Sequence, residues 1–158
     1  MSTPTSIPPT LRFLQGTSIA LLTTTAGLSA SLSIFVIPRL MESPPQLLTL
    51  QFTRAISSAH RLLVLPLVLP GFLHGYLAYR LPAKARLYAL AAALTFSNLP
   101  WTRAVMMPLN RKMERLVVFS DEAPDNAHEV ADKWATRNLY RGVVTFVAGC
   151  IGLYAALS

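Results

Sequence analysis

Apolar residues in this chain come in long runs, and the polar residues between and within them recur at helical spacing. From Gly16 to Ile37 (GTSIALLTTTAGLSASLSIFVI) there is no charged residue. A helix of that length crosses a hydrocarbon core of about 30 Å at about 1.5 Å per residue. Thr23, Thr24, Thr25, Ser29, Ser31 and Ser33 make it the least greasy run, and Ala26/Ala30 and Gly27/Ser31 would let a neighbouring helix approach closely. Pro38, Pro44 and Pro45 predict a break and a loop. A second helix spans about residues 50–79 and carries Pro66 and Pro70, where a kink is expected. Arg80, Pro82, Lys84 and Arg86 make a basic turn into a third span over 86–107. A hydrophilic stretch (SDEAPDNAHE) follows, and Asp125 or Asn126 could cap a last helix whose span covers about 130–157. The expectation is an all-α fold, a four-helix transmembrane bundle in a single domain over residues 1–158. Both termini then share one face, and the 38–49 and 108–130 loops share the other.

Composition agrees with the bilayer as solvent. Hydrophobic residues make up 53% of the chain and charged residues 13%, about half the charged share of a soluble domain. The net charge of +7 raises nucleic acid as a partner. However, Arg80, Lys84 and Arg86 flank apolar runs as basic residues flank membrane segments, and no nucleic-acid motif is present. Cys150 is the single cysteine, so no internal disulfide forms. It reads as a packing residue of the last span.

Polar groups at membrane depth are expensive, and those that persist usually face a protein interior or a wet cavity. Here Arg54, Ser57, Ser58, His60 and Arg61 gather toward one end of the second span. Asn98, Trp101, Thr102, Arg103 and Asn110 do so in the third, and Trp134, Asn138 and Arg141 in the fourth. Arg54/Ser57/Arg61, Arg103/Asn110 and Trp134/Asn138/Arg141 follow spacings of three, four and seven, each one helix face. A polar pocket open at one interface competes with a plain arginine-rich boundary whose side chains snorkel to headgroups. Asn and Trp do not serve snorkelling, which favours the pocket. His60 is the candidate general base, because an unperturbed imidazole titrates near neutrality. His74 lies fourteen residues on, too far along a straight helix to share a ligand with it. No paired His or Cys spacing for a metal or haem and no glycine-rich nucleotide loop occurs.

His60 opening the apolar part of the second span, PWTRAVMMPLNRKM at 100–113 and WATRNLYR at 134–141 together resemble the anthrone oxygenase family. These are small four-span membrane proteins of aromatic polyketide pathways. The resemblance implies oxidation of an anthrone to an anthraquinone by O2 without flavin, haem or metal, so no cofactor and no metal site. It implies a small aromatic substrate and the lipid bilayer as partners. For a fungal member it implies an endoplasmic reticulum-type membrane. On that reading His60 is the base, and Asn98, Asn110, Asn138 and Arg141 donate to the enolate or peroxide. Arg103 supports the anion, while Trp101, Trp134 and Arg54 contact the substrate. The rival is a non-catalytic membrane scaffold or assembly factor that binds a partner helix through the same stripes. A transporter is disfavoured, because polar groups stop short of Leu87–Leu94 and Val143–Leu157.

Overall fold

The computed structural model describes residues 7–118 and 126–158. Every regular element among them is helical. α1 (Pro9–Ser31), α3 (Pro45–Arg80), α4 (Ala85–Trp101) and α6 (Ala127–Leu157) are the long helices, and α2 (Ile37–Leu40) and α5 (Met107–Val118) extend two of them. A π-turn, Leu32–Val36, joins α1 to α2, and another, Thr102–Met106, joins α4 to α5. The chain therefore forms four rods. Helix starts fall at prolines: Pro9 and Pro45 sit in the first turn of α1 and α3, where the missing N–H has no intrahelical partner to lose.

Both π-turns have the same local cause. Ile37 N–H reaches five residues back to the Leu32 carbonyl, and Met107 N–H reaches five back to Thr102. The next residue in each case is a proline, Pro38 or Pro108. A proline inside a helix donates nothing and crowds the carbonyl four residues earlier. Widening one turn to the i→i+5 pattern relieves that crowding and leaves the helix continuous. Pro38 therefore does not end the first rod, contrary to the sequence expectation; the rod runs to Leu40 and the turn is Met41–Pro44. Likewise 108–118, expected as loop, is helical. Leu109 and Met113 are buried and Arg111, Lys112, Glu114 and Arg115 exposed, an amphipathic pattern.

The rods pack antiparallel in a square. α1 lies against α6 and α3, and α4 lies against α3 and α6. Close approach of α1 and α6 depends on small residues: a Cβ added at Gly142 would sit 3.4 Å from Ala30 Cβ, and one at Gly149 3.4 Å from Leu22 Cβ. Ala26 is buried in this seam, whereas Gly27 faces outward with nothing within 4 Å. Apolar packing concentrates at the two ends. Leu11, Leu77, Tyr88 and Ala155 close the end carrying the termini. Ile37, Leu48, Phe52, Met106, Met113, Val130 and Trp134 fill the other. Between them lies a more polar layer. The outer surface is apolar, with Phe35, Leu65, Phe72, Val143 and Phe146 exposed. Three helical stretches, Pro9–Leu40, Pro45–Arg80 and Ala127–Leu157, are long and apolar enough to cross a membrane. The 85–118 rod is more polar, interrupted by Ser97, Asn98, Thr102 and Arg103.

Some expectations shift by a few residues. Asn126 precedes α6 without a side-chain cap bond, and His128, expected in a loop, lies in the first turn of α6 with Nε2 3.1 Å from the Met41 carbonyl. Asp125 lies outside the described residues. The second rod continues as α-helix through Pro66 and Pro70.

Candidate functional site

Two connected spaces lie in the half of the bundle nearer the 41–44 turn. The outer one, about 410 Å³, opens between α3 and the third rod. Phe52, Ile56 and Met107 make its apolar walls, and exposed Ser57, His60, Arg61, Arg111 and Glu114 form its mouth. That volume is within the range of small-molecule sites. The inner one is a cleft of about 40 Å³ running into the centre of the bundle. Ile56, His60, Thr102 and Asn110 line both, so they stand at the boundary.

His60 makes no hydrogen bond or ion pair among the described residues, which leaves both ring nitrogens available to a ligand. Asn110 is different. Trp134 Nε1 donates to its Oδ1 at 2.7 Å. An indole nitrogen can only donate, so this bond fixes the amide with its NH2 turned away from Trp134. Trp134 itself is buried, edge-on to Phe52 with ring centroids 5.4 Å apart.

Asn138 is fully enclosed. Its Nδ2 donates to the Ser29 carbonyl at 2.8 Å and to Ser33 Oγ at 2.9 Å. Its Oδ1 accepts from Arg141 Nη1 at 3.4 Å and from Ser29 Oγ at 3.5 Å. Both amide hydrogens are thus committed inside the protein, and Asn138 holds Arg141 against the cleft. Arg141 Nε is buried with no partner, and among the described residues no carboxylate pairs with this guanidinium.

The structure brings together His60, Asn110, Trp134, Asn138 and Arg141 from the sequence expectation, with Ser57, Arg61 and Thr102 of the same stripes, and leaves Asn98, Trp101, Arg54 and Arg103 outside both spaces. Asn98 is buried between α4 and α6, with Nδ2 3.1 Å from the Thr95 carbonyl and 3.4 Å from Thr145 Oγ1. Trp101 lies over Tyr140 at 4.1 Å and donates to the Arg137 carbonyl. Arg54 and Arg103 are exposed and line neither space. Arg103 lies inside the π-turn, which adds a residue to that turn, so it does not share a face with Asn110 as spacing by seven requires of a regular helix. Thr102, one residue earlier, takes the inward position. Sequence reasoning also missed Ser29, Leu32 and Ser33, because the first rod read as packing only. The available signal was Ser29/Ser33 at a spacing of four.

The comparisons with known proteins bear on the same region. The anthrone oxygenase family profile matches residues 52–151, from Phe52 in the outer wall to beyond Arg141. The chain belongs to the anthrone oxygenase family. The matched segment contains every residue of the outer chamber, whereas Ser29 and Leu32 of the inner cleft, and Ser33, which accepts from Asn138, precede it. Neither the curated proteins nor the solved structures give a match to this family member. Among the described residues, no three metal-ligating side chains converge.

Proposed function

We propose that this protein oxidises an anthrone to the anthraquinone with O2, as a four-span membrane enzyme whose third rod crosses the bilayer with the other three. The observation that supports this best is an unpartnered histidine and an amide of fixed orientation on the boundary of a mostly apolar chamber of about 410 Å³. An anthrone carries a doubly benzylic methylene whose loss of a proton gives an electron-rich enolate. Deprotonation by His60 would be assisted by the free NH2 of Asn110, placed to donate to the enolate oxygen. The enolate passes one electron to O2, giving a substrate radical and superoxide, and the two combine in a carbon–oxygen bond. The peroxide takes up the proton from His60. Loss of the second methylene proton with cleavage of the O–O bond releases water and leaves the carbonyl. One oxygen atom ends in the quinone and the other in water, and the substrate supplies all four electrons.

Phe52, Ile56 and Met107 hold the aromatic rings and keep water from the enolate. Asn138 and Trp134 act as positioning residues through Arg141 and Asn110. The test is quinone formation from an anthrone in detergent or microsomes, measured above the spontaneous rate. His60→Ala is expected to lower the catalysed rate by about 10²-fold or more. Wild-type turnover indistinguishable from background, or a His60→Ala variant at the wild-type rate, would overturn the assignment.

A further inference from the structure

We infer that the inner cleft is the dioxygen compartment of this site and that Arg141 stabilises the superoxide and peroxide formed there; this rests on the oxygenase reading above. The first argument is size. A cleft of about 40 Å³ has room for a diatomic molecule or a few waters, and not for any ring of the substrate. The outer chamber, ten times larger, takes the rings. Four residues line both, so a molecule in the cleft abuts a substrate carbon held beside His60.

The second argument is the chemistry of the walls. Apart from His60 at the boundary, the α3 side is aliphatic, formed by Ile56, Ala59, Leu63 and Val64, and suits an apolar gas. Val64 is also exposed on the outer surface of the bundle, so one side chain separates the cleft from lipid, where O2 dissolves better than in water. The α6 side carries Asn138 and Arg141. With the Asn138 amide hydrogens committed to Ser29 and Ser33, Arg141 is the donor left on that wall. A half-buried guanidinium whose Nε is enclosed without a partner and that has no carboxylate beside it is costly at membrane depth. That cost becomes useful when an anion forms beside it. Neutral O2 gains little from the charge, whereas superoxide and the peroxide gain strongly, so the stabilisation appears as electron transfer proceeds.

The experiment varies O2 and the aromatic ligand independently. Ala59→Leu puts a larger side chain into the cleft. It is expected to raise KM for O2 by about tenfold or more while the Kd for anthraquinone, measured by fluorescence, stays within about twofold. Arg141→Met is expected to cut kcat/KM for O2 by about 10²-fold, with Arg141→Lys restoring much of it. Xenon-pressurised crystals of the wild type should show xenon in the cleft, and those of Ala59→Leu should not. Thermal midpoints in detergent confirm that each variant is folded; if Ala59→Leu is not, Leu63→Phe replaces it. Unchanged KM for O2, parallel loss of O2 and anthraquinone affinity, or a xenon-free wild-type cleft would overturn the inference. A wild type that binds xenon there but turns over no anthrone would instead overturn the substrate reading, leaving the gas compartment standing.

Discussion

Replacing Trp134 by phenylalanine keeps an aromatic ring against Phe52 and removes the N–H that Asn110 Oδ1 accepts. The amide is then free to turn. The expected outcome is a fall in kcat of about tenfold with little change in anthraquinone Kd, because only the transition-state donor is disordered. An equal loss in both would point to collapse of the chamber. Asn138→Leu acts differently. It removes the donor that Ser33 Oγ and the Ser29 carbonyl accept and frees Arg141. About 1–3 kcal/mol of stability should be lost, seen as a lower thermal midpoint. A third residue-scale prediction concerns the opposite end of the bundle. A Cβ at Gly152 would sit 2.6 Å from His74 Nε2. His74 is held by Ser18 at 3.2 Å and stacked on Tyr88 at 5.8 Å, so it has little room to yield. Gly152→Ala should therefore destabilise the bundle by about 1–3 kcal/mol and leave KM for O2 unchanged.

At the scale of elements, the π-turn at Thr102–Met106 sets which residues of the third rod face inward. Pro108→Ala returns an N–H to the helix and removes the crowding at Ala104. The rod can then close into regular α-helix, which rotates α5 by about one residue step, or about 100°. Asn110 would leave the chamber, and activity should fall without loss of thermal stability; a structure of the variant would show the turn directly. This is also where the sequence was hardest to read. The long rods follow from apolar runs bounded by Pro and basic residues, and the Trp134/Asn138/Arg141 stripe holds because α6 is regular throughout. The Arg103/Asn110 pairing assumed the same regularity in a segment where Pro108 removes it. Asn98 and Trp101 carried the right chemistry, but residue type cannot tell a group that links α4 to α6 from one that lines a cavity. Ser29 and Ser33 were hidden by the small-residue character of their rod.

For the molecule as a whole, buried polar residues run through the interior, from Gln15, Ser18 and His74 near the termini to Asn138 in the other half, both spaces open in that other half, and the outside is largely apolar. If all four rods cross, the first and last described residues lie on the same side of the membrane. Reporter domains fused at either terminus should then give the same compartment signal, and opposite signals would mean that the third rod stays at the interface. The two apolar clusters give the bundle a clamp at each end, one of which shares Phe52, Ile56, Met106 and Trp134 with the walls of the site. A substitution inside the chamber, such as His60→Ala, should accordingly change rate far more than melting temperature.

The contact of Asn138 with the first rod has one more consequence. Asn138 grips that rod by a main-chain carbonyl and a small hydroxyl, and the rod joins the rest of the chain only through the short Met41–Pro44 turn. The first rod is in effect a detachable part, seated by shape and docked onto α3 and α6. Two separately expressed pieces, cut within that turn, should find each other in a membrane and regain oxygen-dependent turnover by complementation.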